Sequence, residues 1–343
     1  MMKRITIKDL AAELGTTPST VSRALADNHQ VSDEMKLRVR ELAHKYNYQP
    51  NKRAKSLRTR RTDTIALILP EINSFFVPEM IFGINTAAAK NNFSVMIFQS
   101  DNLLERESEL LRYVHSLAVD GVLLSVTEET KDVAHIEEIR QTGTPILLID
   151  KLTGTSNLPG VSINGFDAAY RAGNYLAEHG HRKLIGIFGN PSLTMTVQRR
   201  AGFEQSMLEK GLLNGGSCMI EVEQILELPS VLDTLLHDFA DATAIFTMSD
   251  ELMVHTHFEL TRRGLRIPDD FSLMAISDGF APYYLHPNIT HIHHSGFEVG
   301  YAATSMLINN VLGKSGTKER KVLVAPLCQL QSVANLAALP VVS

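Results

Sequence analysis

Apolar residues at Ile7, Leu10, Ala11 and Leu14 repeat with the i, i+3, i+4, i+7 spacing of one helix face. Thr6 is placed to cap that helix, with Asp9 three residues on in capping-box position, and Gly15 to end it. A second helix is expected at once. Thr17 supplies the cap, Pro18 suits the first helical position, and Val21, Ala24 and Leu25 share a face. Ser32 caps a third helix with Met35, Val39, Leu42, Ala43 and Tyr46 as its apolar positions. Pro50 breaks the pattern, and Asn51 can start a short basic helix with Ala54 and Leu57 on one side. So short a helix is marginal in water and is expected to order only against a partner.

From residue 62 the pattern changes. Short apolar runs at 65–69, 95–98, 121–125, 146–149, 184–188, 244–247 and 272–276 read as strands. Amphipathic stretches between them, at about 77–91, 104–118, 131–142, 166–180, 197–211, 229–240, 250–264 and 297–312, read as helices. Strand–helix alternation with short connections predicts an α/β body of parallel sheets covered by helices on both faces. The strands are too many for one comfortable sheet, which predicts two lobes, the second beginning near Val161. Ligands of such folds bind beyond the carboxyl ends of the strands.

Charge sharpens this picture. The chain of 343 residues has a formal net charge of −5, yet residues 1–61 carry 14 Lys+Arg against 6 Asp+Glu. A basic head on an acidic body points to a polyanion partner for the head. Two helices joined by a tight glycine turn make a helix-turn-helix unit, whose second helix enters the DNA major groove. Ser19, Thr20 and Ser22 are short enough to let the backbone approach DNA, and Arg23 has the fork that pairs with guanine. Pro18 offers no hydrogen bond, which shifts base readout towards Ser19 and Arg23. The two cysteines, Cys218 and Cys328, have no motif around them, and no apolar run is long enough to span a bilayer. A cytoplasmic location is expected.

The segments Ile7–Ala11, Ser19–Leu25, Val31-Ser32 and Tyr48-x-Pro50-Asn51-x-x-Ala54-x-x-Leu57-Arg58 resemble the lactose-repressor/galactose-repressor family of bacterial transcription regulators. The resemblance implies a homodimer on a pseudo-palindromic operator. Its DNA-contacting positions fall on Thr6, Thr17, Pro18, Ser19, Thr20, Ser22, Arg23, Tyr48, Asn51, Ala54, Lys55 and Leu57, with Leu57 as a minor-groove wedge. It implies a helix-turn-helix domain at 1–49, a hinge helix at 50–61 and a periplasmic-binding-protein-like effector and dimerisation domain at 62–343. Lobe 1 would comprise about 62–160 and 291–323, and lobe 2 about 161–290 and 324–343.

A small-molecule effector, a sugar or sugar derivative, is expected in the interlobe cleft, with no other cofactor. Its candidate contacts are Asn73, Phe76, Ser125, Asp150, Asn164, Arg199, Ser249, Asp250 and Ser277. Several depart from the family's usual residues. Asn164-Gly165 stands for Asp-Asn, Ser249 for Asn, Ser277 for Asp and His294 for Gln. A cleft that has lost carboxylates but keeps Arg199 leaves an anionic effector open. The alternation His291-x-His293-His294 puts two histidines on one strand face and one on the other, a poor metal set. No nucleophile has a supporting motif, so an enzyme is not expected. The alternative reading is a solute receptor with the same body and no operator function.

Overall fold

The structure, a computed structural model, describes residues 5–48, 61–72, 75–151, 157–213, 216–314 and 319–338. The expected hinge positions Asn51, Ala54, Lys55 and Leu57, and Asn73 of the cleft, lie outside the described residues. The chain divides into two units, Met1–Thr62 and Asp63–Ser343.

In the first unit, α1 (Ile7–Glu13), α2 (Pro18–Leu25) and α3 (Asp33–Lys45) enclose a small core. Leu10, Val21, Ala24 and Val39 are fully buried in it, with Ala11, Val31 and Ala43 beside them. Each helix starts at a side-chain cap. Thr6 and Asp9 form a reciprocal box, Thr17 accepts from the Thr20 N–H, and Ser32 accepts from the Met35 N–H. Gly15 turns the chain with φ +63°, a left-handed angle that glycine tolerates.

The second unit contains two six-stranded sheets. The first joins β1 (Thr64–Leu69), β2 (Ser94–Gln99), β3 (Gly121–Leu124), β4 (Ile146–Ile149) and β5 (Gly160–Ile163) with β11 (Arg320–Leu323), in the order β11-β5-β4-β3-β1-β2, all parallel. The second joins β6 (Leu184–Phe188), β7 (Cys218–Glu221), β8 (Ala244–Thr247), β9 (Ser272–Ser277), β10 (Thr290–His293) and β12 (Leu327–Cys328). Its order is β12-β10-β9-β8-β6-β7, with β12 antiparallel.

Helices α4 (Phe76–Lys90), α5 (Leu104–Ser116), α6 (Ala134–Gln141) and α12 (Gly296–Val311) accompany the first sheet. Helices α7 (Gly165–Glu178), α8 (Thr194–Glu209), α9 (Leu228–Asp238), α10 (Asp250–Arg262) and α11 (Ala281–Tyr284) accompany the second. Central strands such as β1, β3 and β8 are buried along nearly their whole length, the pattern of sheets covered on both faces.

Each lobe has one helix pair packed at backbone contact. Gly83 and Gly300 place α4 and α12 so close that a Cβ on Gly83 would strike the Phe297 carbonyl oxygen and one on Gly300 the Met80 carbonyl oxygen. Gly202 does the same between α8 and Phe166 of α7.

The strand pairings set two lobe boundaries three residues beyond the approximate expectation. Gly160–Ile163 pairs with β4 and β11, so lobe 1 runs through Ile163 and does not end at residue 160. Thr290–His293 pairs with β9, so lobe 2 extends to His293 and does not end at residue 290. The chain therefore passes between lobes after Ile163, after His293 and between Leu323 and Leu327.

Candidate functional site

The head presents one side of α2 to solvent. Val21 and Ala24 are wholly buried, while Thr17, Pro18, Ser19 and Arg23 are exposed. Thr20 and Ser22 are half-buried. Arg23 makes no ion pair among the described residues, so its guanidinium is available. Other cations nearby are engaged: Asp27 holds Lys36 at 3.2 Å and Arg40 at 2.9 Å.

Two expected contact residues also have local work. The Thr6 hydroxyl donates to Asp9 at 2.7 Å, and the Thr17 and Thr20 hydroxyls lie 3.0 Å apart. Tyr48 is half-buried against the helical core.

The cleft forms where strands of both sheets end, and Arg199 on α8 is its electrostatic centre. Arg199 is 4% exposed, and its Nη1 donates to the Met248 carbonyl at 2.5 Å. Nε has no hydrogen-bond partner among the described residues. Burial pulls the group down to about 10, and Asp150, Asp250 and Asp278 oppose that shift. These carboxylates come from both lobes: Asp150 follows β4, and the other two belong to lobe 2. Asp150 adopts φ 69° and its carboxyl is pushed upward chiefly by burial, with Lys151 and Arg199 acting the other way. Lys151 pairs with Glu128 at 2.5 Å.

Asp250 opens α10 and ties the strand ends together. It accepts from the Ser277 hydroxyl in a short hydrogen bond and from the Asp278 N–H at 3.0 Å. Asp278 is 8% exposed, and its Oδ2 has no partner among the described residues. Burial first, then the Asp250 carboxylate, pushes it up to about 8. The expected acidic position is Ser277, and a carboxyl is nonetheless present beside it. Ser277 stands beside Asp278, one position further along, and both meet Asp250.

His294 is buried in the second crossing between lobes. Its N–H donates to Ser277 O at 2.7 Å and its ring lies 4.8 Å from that of Phe76. Burial and the nearby Arg199 charge hold its imidazole well below the usual range, hence neutral. Ser125, at the end of β3, is buried. Asn164 and Ser249 serve as helix caps, accepting from the Asp167 N–H at 3.1 Å and the Leu252 N–H at 3.4 Å. Asn164 is exposed, and its visible work is capping α7.

Asp278 and His293 are the residues that sequence reasoning left out of the site. His293 has its Nδ1 buried without a partner among the described residues. The signal for Asp278 was its position directly after a parallel strand.

A capped helix-turn-helix head followed by a two-lobed α/β body is the architecture of a class of transcription regulators. Residues 6–51 match the model described as bacterial regulatory proteins, lacI family. Residues 174–333 match the periplasmic binding protein-like domain. The chain thus carries a LacI-family helix-turn-helix domain and a periplasmic binding protein-like domain. It is 27% identical over 310 residues, 90% of each chain, to the HTH-type transcriptional repressor CytR of Escherichia coli (strain K12). In fold it is similar to the lac repressor dimer bound to operator and the anti-inducer ONPF. That match has a TM-score of 0.83 at 18% identity and covers 97% of this chain and 100% of that one. It is also similar to the CelR–cellobiose complex, with a TM-score of 0.68 at 23% identity over 96% and 100% of the two chains. Among the described residues, no helix is long and apolar enough to cross a membrane.

Proposed function

We propose that this protein is a transcriptional repressor that binds a pseudo-palindromic operator as a homodimer and responds to a sugar or sugar derivative in its cleft. The observation that carries the DNA-binding reading is the division of α2. Val21 and Ala24 dock it, while Ser19 in its first turn and Arg23 in its last are left exposed to face a major groove. Thr6, Thr17, Pro18, Thr20, Ser22 and Tyr48 would position or support that helix. The hinge segment would add Asn51, Ala54, Lys55 and Leu57 in the minor groove, Leu57 as the wedge.

The effector reading is supported by buried polar atoms that have no hydrogen-bond partner among the described residues, above all Arg199 Nε. Asp150 and Asp250 act on Arg199, Ser277 bonds Asp250 and Phe76 packs on His294, and Ser125 and Asn73 would join them around a ligand. A ligand that prefers one lobe arrangement changes operator affinity by its differential binding, typically about 1–3 kcal/mol. Dimerisation is supported by the edge strand β2, where Met96 and Ile97 are 42% and 40% exposed.

The direct test selects an operator from random duplexes with the full chain and then measures binding against salt. A palindromic selected site bound far more tightly than random DNA, with affinity falling steeply as salt rises, is expected. Binding no tighter than to random DNA sinks the reading. Light scattering of the free protein tests the dimer.

A further inference from the structure

The chain passes between the lobes three times, and the first two passages are tied down on both sides. At the first, Ile163 belongs to β5 of lobe 1. The next residue, Asn164, already caps α7 of lobe 2, accepting from the Asp167 N–H at 3.1 Å. At the second, the His293 and His294 N–H groups are held on the lobe 2 side, by the Pro326 carbonyl at 2.8 Å and the Ser277 carbonyl at 2.7 Å. Ser295 then caps α12 of lobe 1, accepting from the Glu298 N–H at 3.2 Å. Each of these passages turns over a single peptide link, Ile163–Asn164 or His294–Ser295.

The third passage is longer. β11 ends at Leu323, opposite Ile163 in the parallel register, and β12 begins at Leu327. Val324, Ala325 and Pro326 lie between them, outside both sheets. Arg171 shortens this slack. It stands in the second turn of α7, and its Nη1 lies 3.8 Å from Asp167 one turn earlier and donates to the Ala325 carbonyl at 2.6 Å. Ala325 is 2% exposed, so loss of that donor would leave a buried carbonyl unpaired. Pro326 is already bonded to His293. Only Val324 is left, 78% exposed and without a hydrogen bond among the described residues.

We propose that Arg171 is a positioning residue that pins the third passage to lobe 2 and leaves Val324 as its hinge. The lobes then move as rigid bodies about three short joints: Ile163–Asn164, His294–Ser295 and Val324. Hinges of this kind are a few residues at element ends that absorb the backbone change between the bodies they join. One helix governs two of the joints, because α7 starts at Asn164 and holds Ala325 through Arg171. A ligand that favours one lobe arrangement would act through these joints.

Two measurements on the full chain, free of DNA and of small molecules, test this. Spin labels at Arg112→Cys on α5 and Thr234→Cys on α9, both exposed positions, report the distance between lobes by pulsed dipolar spectroscopy. Cys218 and Cys328 are replaced by serine in every sample, and labelled chains are diluted with unlabelled ones so that only distances within one chain are read. Residue-resolved amide exchange reports on the His293 N–H. Arg171→Gln should broaden the interlobe distance distribution. It should also speed exchange at His293 about tenfold or more, the change expected when one charge-assisted hydrogen bond no longer holds the segment that carries its acceptor. Val324→Gly should broaden the distribution through glycine's extra backbone freedom, while His293 exchanges as in the wild type because the pin is intact. If Arg171→Gln does not fold, Val324→Gly decides. An unchanged distribution in either folded variant overturns the proposal, and so does fast His293 exchange in Val324→Gly. Faster exchange in Arg171→Gln without broadening would make Arg171 a local brace and no part of a hinge. Neither measurement needs an operator or an effector, so a failed search for either leaves this outcome intact, and a failed hinge leaves the repressor reading intact.

Discussion

The Phe76 ring packs against the His294 imidazole at 4.8 Å between centroids, tilted by 49°, and the contact ties lobe 1 to a strand that crosses out of lobe 2. Phe76 begins α4 beneath the first sheet, while the His294 N–H is bonded to Ser277 at the end of β9. A double-mutant cycle in urea with Phe76→Ala and His294→Ala should give a coupling of about 0.5–1.5 kcal/mol, the range for paired aromatic rings. Strictly additive losses would mean that the rings are neighbours without consequence.

Asp278 makes stability fall with pH. Its folded carboxyl titrates at about 8, above the usual carboxylate range, because of burial and the adjacent Asp250. The folded state therefore holds a proton that the unfolded chain releases near ~4. That contribution is complete below the unfolded value and is lost as the pH rises to about 8. The slope in between is at most ~1.4 kcal/mol per pH unit. Asp278→Asn has no such titration, so its urea midpoint should decline less than that of the wild type between pH 5 and pH 8. Parallel profiles for the two proteins would refute the assignment.

The glycines between α4 and α12 set another expectation. On Gly300 a Cβ would strike the Met80 carbonyl oxygen, which is backbone and cannot rotate away. Gly300→Ala should therefore destabilise the body by roughly 1–3 kcal/mol through overpacking. Gly211→Ala is a useful contrast. There nothing lies within 4 Å of the added atom and the cost comes from φ +67° alone. Equal losses at both sites would show that close approach of the helices is not what Gly300 provides.

These cases show what the sequence made legible. The helices of the head could be read residue by residue because caps, periodicity and the Gly15 turn all agree. Buried strands such as Leu184–Phe188 and Ala244–Thr247 announce themselves as apolar runs. Gly160–Ile163, Cys218–Glu221, Arg320–Leu323 and Leu327–Cys328 escaped assignment because polar or small residues interrupt or flank each apolar pair. Three of them lie at a sheet edge, where one side needs no apolar run. The lobe limits shifted for the same reason, since a four-residue strand next to a crossing can be assigned only from its partner. In the cleft, Arg199 was legible only through the family resemblance, as the arginine before Ala201-Gly202-Phe203. The sharing of Asp250 between Ser277 and Asp278 was not, because it depends on two strand ends 27 and 28 residues away.

Arg23 is the sharpest test of how the head reads DNA. It lies in the last turn of α2, exposed and outside any ion pair among the described residues, whereas Lys36 and Arg40 are drawn to Asp27. Its neighbours on the exposed side are short hydroxyls and Pro18, which cannot donate. A bidentate contact from its guanidinium to guanine would supply roughly 1–3 kcal/mol of discrimination at one base pair. Arg23→Ala should then weaken binding to the selected operator by that amount and flatten the preference at a single position in each half-site. Thr17→Ala is the control for helix integrity. Loss of that cap should cost about 1 kcal/mol of head stability and weaken binding to all sequences alike. Selection experiments with the three proteins separate the two effects. If Arg23→Ala lowers affinity uniformly with the sequence preference intact, the side chain contacts phosphate and readout rests on Ser19 and the neighbouring hydroxyls.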